Sequence, residues 1–167
     1  ALAKGEIHFE NIWGVADEDL FDLALREIDT RVAAGKKVFA HVMTTSNHRP
    51  YTYPADRIDI PSGTGRDGAV KYTDFAIGQF VEKARQRPWF DNTLFVFVAD
   101  HTSIARGRSD LPMERYHIPM VMFAPGKIAP RRIDALSSQI DVAPTLLGWL
   151  NVPYISEFFG RDVLRDG

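Results

Sequence analysis

Residues 93–99 (TLFVFVA) are apolar at nearly every position and stand between the polar turn Asp91-Asn92 and the polar pair Asp100-His101. A strand with one wet face alternates apolar and polar residues, so a run without alternation predicts a central strand covered on both faces. Such a strand needs layers on either side. The flanking sequence supplies candidates. Phe21, Leu25, Ile28 and Val32 recur at spacings of four, three and four, which predicts a helix with one apolar face that stops near Gly35. Thr73, Ala76, Ile77, Phe80, Val81 and Ala84 form a second apolar stripe, ending before Pro88, whose ring clashes with a continuing helix. A third helix is expected after Asp141, a suitable N-cap, with Pro144 in the first turn where no amide donor is needed.

Two further strands are expected. Residues 37–43 (KVFAHVM) are short, apolar and bounded by polar positions, and residues 118–124 (IPMVMFA) end at Pro125-Gly126. Pro119 places the latter at a sheet edge or at its own first residue. Helices alternating with apolar strands imply one layered α/β unit with a mainly parallel sheet, and at 167 residues with 45% apolar content the chain can bury a sizeable core. Between the first two helices, residues 44–68 lose periodicity and carry Pro50, Pro54 and Pro61. Loops of this length inside compact domains are usually functional or disordered, and Tyr51, Tyr53, Ile58 and Ile60 favour an ordered one.

Charge excludes some partners. Twenty basic and 22 acidic residues nearly cancel, so there is no broad positive field for nucleic acid. No stretch reaches the roughly 20 apolar residues of a membrane helix, and the opening residues lack the apolar centre of a signal peptide. A chain that begins at Ala1 reads as a piece of a longer protein, and with no cysteine it has neither disulfides nor thiolate ligands.

In open α/β sheets, ligands bind beyond the carboxyl ends of the strands, where loops converge on a rigid support. Two polar loops qualify here: residues 44–49, after the first expected strand, and residues 100–103, after the second. Asp100 offers a hard anionic oxygen and His101 a nitrogen, a mixture suited to zinc or manganese. Neighbours on a strand point to opposite faces, so both reach one ion only where the strand has ended. The same pair also reads as a turn cap beside a surface histidine. A site of about four to six positions needs further ligands, for which His48, His117, Asp56 and Asp59 are candidates. His41 reads as a hydrogen-bonded core residue. His48 and Arg49 could hold an anionic group, Arg49 through a bidentate fork, or simply line a solvated loop. Thr44, Thr45 and Ser103 are hydroxyl nucleophile candidates only beside an activating metal. No glycine-rich phosphate loop, serine-centred elbow or HExxH helix is present.

The runs DNTLFVFVADH, LPMERYHIPMVMFAPG, QIDVAPTLLGWL and FFGRDVL occur in that order. Together they resemble the C-terminal half of the sulfatase-like branch of the alkaline phosphatase superfamily. TTSNHRPY and KYTDFAIGQFVEKA look most like the lipoteichoic-acid synthases and membrane phosphoglycerol transferases of that branch, and the similarity spans residues 13–164. The resemblance implies a three-layer αβα sandwich, of which residues 1–167 are one part of a single catalytic domain. It implies an extracytoplasmic domain tethered in its bacterial parent by N-terminal membrane helices, holding one divalent metal, typically manganese, with zinc, magnesium or calcium as alternatives. It further implies transfer of a phosphoglycerol group from an anionic lipid head group to an acceptor. A sulfate- or phosphate-ester hydrolase and a non-catalytic lipid- or partner-binding relative are the alternatives. By resemblance, Asp100 and His101 match two metal ligands and His48 a histidine on the substrate phosphate. The nucleophilic threonine and an acidic ligand belong to motifs upstream of Ala1, so this part alone is expected to be inactive. Thr102 stands where much of the superfamily has glycine.

Overall fold

The computed structural model describes residues 4–102 and 113–165. Two compact units are present, Ala1–Lys127 and Ile128–Gly167.

In the first unit a two-residue ladder pairs β1 (Glu10–Asn11) antiparallel with β2 (Gly14–Val15). Helix α1 (Asp17–Ala33) follows directly, with three acids, Asp17, Glu18 and Asp19, in its first turn, where the helix dipole favours negative charge. It stops as expected near Gly35, which sits at φ +72. There the amide of Gly35 reaches the Val32 carbonyl and that of Lys36 the Arg31 carbonyl, so two otherwise orphaned acceptors are satisfied. Helix α2 (Arg66–Arg85) presents Gly68, Tyr72, Ala76, Phe80 and Ala84 along one buried face at four-residue spacing. Phe21 of α1 stacks on Phe80 of α2, ring centroids 4.8 Å apart, and Leu25, Trp89, Phe90 and Phe95 complete that core. The indole N–H of Trp89 donates to Asp29 at 2.7 Å, joining the end of α2 to α1.

The strand at the centre of the sequence reading forms β3 (Phe95–Val98), paired with β4 (Met120–Phe123). The pair is antiparallel, with Phe95 opposite Phe123 and Val98 opposite Met120. Among the described residues, both ladders are thus antiparallel, and the parallel sheet expected from the alternation of elements does not form within them. Pro119 falls just before β4, where its missing N–H costs no ladder bond and its carbonyl still accepts from the Ala99 amide. Nor is β3 covered on both faces: Phe95 packs on Phe80, Phe90 and Trp89, while Val98 is 43% exposed.

Residues 37–43 are not assigned as a strand. A strand exists through its neighbours, and no described segment pairs with this one. Val42 leans on the core, but Phe39 is 89% exposed and Met43 and His41 face outward, so His41 is not the buried residue expected. The long loop is ordered. Tyr53 is buried and stacks on Tyr72 at 5.0 Å, and its hydroxyl donates to the carbonyls of Ile60 and Pro61.

In the second unit a short 3-10 turn, Gln139–Asp141, leads into α3 (Val142–Trp149). Asp141 does not cap α3 with its side chain, as the sequence suggested. Its carboxylate instead accepts the amides of Ser138 at 2.8 Å and Arg161 at 2.9 Å, which holds it below the usual carboxylate range. Thr145 accepts the Val163 amide, fastening residues 161–163 to α3.

Candidate functional site

Asp100 and His101 lie just past the end of β3, beyond the alternation of the strand. The Asp100 carboxylate accepts the His101 amide at 2.8 Å, and the two side chains stand together with His101 Nε2 3.3 Å from Asp100 Oδ2. His101 Nδ1 lies 2.7 Å from the carbonyl oxygen of Thr102. A carbonyl only accepts, so in the neutral ring the proton belongs on Nδ1 and Nε2 presents its lone pair to Asp100. Donors each about 2.0–2.1 Å from a tetrahedral ion stand about 3.3 Å apart, so the observed spacing suits a shared ion. Both side chains are mostly solvent-exposed, at 80% and 69%. The hydroxyl of Thr102 donates to the Arg115 carbonyl, tying this loop to the 3-10 turn Met113–Arg115.

The other ligand candidates are not gathered around the pair. Among the described residues no group of three or more His, Asp or Glu could hold a metal ion. Asp59 is paired with Lys71, whose ammonium holds it below its ordinary range, and Asp56 and His117 are exposed. Ser103 lies outside the described residues.

The second polar loop is fixed from behind by a residue the sequence reading passed over. Asp17, fully buried at the start of α1, accepts the amides of Thr45 and Ser46, each at 3.0 Å, and the hydroxyl of Thr73 at 2.9 Å. The Ser46 hydroxyl accepts the Asp17 amide at 3.1 Å. This clasp joins α1, α2 and the loop, and sets the turn in which the His48 amide reaches the Thr45 carbonyl. The imidazole of His48 lies against the indole of Trp13, ring centroids 3.6 Å apart, with its Nδ1 3.2 Å from the Arg49 carbonyl oxygen. Trp13 sits in the turn between β1 and β2, its amide held by Asn11, whose own side chain donates to Thr52. An aromatic beside a glycine in a polar context was the only signal for it.

Tyr51 follows at φ +64, a backbone region costly for a bulky residue, on the order of 1–3 kcal/mol. Hydrogen bonds from its amide to the His48 carbonyl and from the Gly63 amide to its own carbonyl hold it there. Its hydroxyl accepts from Arg49 Nε at 3.4 Å and from Arg66 at 3.2 Å, and these two cations pull the phenol below its usual range.

The sulfatase family profile matches residues 3–152. Phosphoglycerol transferase I of Xanthomonas axonopodis pv. citri is 29% identical over 94% of this chain, which spans 23% of that relative. A solved structure of a protein in the alkaline phosphatase superfamily from Vibrio parahaemolyticus superposes with a TM-score of 0.86 at 37% identity, over 95% of this chain and 39% of its own. The lipoteichoic acid synthase of Listeria monocytogenes superposes at 0.78 and 26% identity, over 95% of this chain and 44% of its own.

Proposed function

The chain belongs to the sulfatase family, and on that premise we propose that it is the C-terminal part of a catalytic domain that moves a phosphoglycerol group from a lipid head group to an acceptor. The observation that carries this reading is the Asp100–His101 pair, whose carboxylate and imidazole meet at 3.3 Å just past the end of β3. These two residues would hold one divalent ion, with manganese as the first choice. Such an ion supplies neutralisation of charge on the non-bridging oxygens and a lowered pKa for the attacking hydroxyl.

His48 and Arg49 then act on the same charge from the loop that Asp17 fixes. The Arg49 guanidinium offers N–H groups to an oxyanion, and the stack on Trp13 holds the His48 ring in place. Orientation of this kind lowers the barrier because the donors need no rearrangement as charge develops. The nucleophile and an acidic ligand are supplied by the remainder of the longer protein, where β3 joins a mainly parallel sheet within a three-layer αβα sandwich. That protein is bacterial, membrane-anchored and faces outside the cytoplasm; no described helix of this chain is itself long and apolar enough to cross a membrane.

A sulfate-ester hydrolase is the second reading, favoured by the matching family profile and by the similar tetrahedral oxyanions of the two esters. Incubating the longer protein with labelled phosphatidylglycerol and manganese is expected to release diacylglycerol. No release, together with a nucleophilic Cys or Ser convertible to formylglycine, overturns the transferase reading in favour of the sulfatase.

A further inference from the structure

Arg49 and Arg66 approach one another across the Tyr51 hydroxyl, which accepts from both, and the Arg66 guanidinium also lies over the Tyr51 ring, 5.6 Å from its centroid. Among the described residues neither guanidinium is paired with a carboxylate. Arg26, Arg31, Arg57, Arg85, Arg87 and Arg132, by contrast, each have an acidic partner. Two like charges drawn to one neutral oxygen repel each other unless an anion joins them.

The donors and acceptors of these three side chains select an anion. A phenol oxygen has two acceptor positions, and both are taken by guanidinium N–H groups, so only its O–H remains as a donor. Each guanidinium keeps further N–H donors in a planar fork. Every function left over at this cluster therefore donates. A cation finds no ligand there, whereas an oxyanion with several acceptor oxygens finds donors on three neighbouring side chains. Tyr51 is also held at φ +64, and strain of this sort accumulates at ligand clamps.

We propose that Arg66 and Tyr51 join Arg49 in a subsite for a tetrahedral oxyanion, a phosphoryl group of the substrate, with Arg66 brought in from the first turn of α2. This rests on the reading that the loop at His48 and Arg49 faces substrate. Arg66 lies 17 positions beyond Arg49, on a different element, so the subsite joins the loop to α2.

The test is titration of the metal-free chain with inorganic phosphate, followed by NMR of the arginine side-chain N–H groups, with glycerol phosphate as a second arm. Wild type is expected to show saturable shifts at Arg49 and Arg66. Arg66→Gln is expected to weaken binding about tenfold, Arg66→Lys to recover part of that loss, and Tyr51→Phe to weaken it about threefold. Tighter binding of glycerol phosphate than of phosphate supports a head-group phosphoryl as the ligand, and equal binding supports the phosphoryl group alone. Unchanged phosphate affinity in Arg66→Gln, whether or not the variant melts earlier, overturns the proposal, because a residue that only braces Tyr51 gives that result. Because no metal is present, failure of the Asp100–His101 site does not alter this outcome, and the two readings fall separately.

Discussion

Trp13 and His48 are 35 positions apart in sequence, and the contact between their rings is what gives the exposed imidazole a fixed orientation. Aromatic pairs of this kind contribute about 0.5–1.5 kcal/mol beyond burial, so Trp13→Ala in the longer protein is expected to raise KM about fivefold while kcat changes less. Steady-state kinetics with a phosphatidylglycerol substrate checks this, and an unchanged KM would remove the stack from the account. Asp141 makes a prediction of a different kind. Its carboxyl is held low by the amides of Arg161 and Ser138, so its contribution to stability is complete above the unfolded value of about 4 and is lost as pH falls through the lower folded value. Asp141→Asn should therefore melt earlier than wild type at neutral pH, by about 1 kcal/mol, with the gap closing below about pH 4; melting curves across pH decide it. The partners of Asp141 show the limit of local reading. An acid before an apolar run was visible as a helix-start signal, but Arg161 lies 20 positions on and no spacing rule connects the two.

At the level of elements, Asp17 is the joint between the helices and the loop. Asp17→Ala leaves the Thr45 and Ser46 amides and the Thr73 hydroxyl without their acceptor, at a cost of about 2–4 kcal/mol. The expected result is a lower melting temperature together with altered NMR shifts through residues 45–51; a destabilised variant with that loop unperturbed would contradict the joint. Gly68 is the second tight point, since an added Cβ would lie 2.2 Å from the Tyr53 hydroxyl and 2.9 Å from Ile60. Gly68→Ala should cost about 1–3 kcal/mol in chemical denaturation, because α2 must shift away from the loop it packs on. The two long helices were legible because Phe21, Leu25 and Ile28, and again Ala76, Phe80 and Ala84, repeat at helical spacing. The start of α2 was not. Its first turns carry Gly68 and Ala69, buried under Tyr53, and small residues leave no apolar stripe to read. The pairing direction of β3 and β4 was equally hidden, since an apolar run records burial and not the sense of its neighbour.

On the scale of the whole molecule, several large apolar side chains among the described residues face outward. Phe39, Met43, Val98 and Val121 are exposed, and residues 37–43 read as a strand in sequence yet have no described neighbour to pair with. This chain spans 23% of the Xanthomonas relative. Asp100 and His101 were readable as a pair at a strand end, whereas the ligands that would complete the set were not found among His117, Asp56 and Asp59. Binding energy follows the number and preorganisation of donors, so the 167-residue chain is expected to bind manganese at least about a hundredfold more weakly than the longer protein does. The most direct measurement is calorimetric titration of manganese into the longer protein and into its Asp100→Ala, His101→Ala double variant. A loss of affinity on the order of a hundredfold or more is expected in the variant, and equal affinities would show that Asp100 and His101 do not hold the ion.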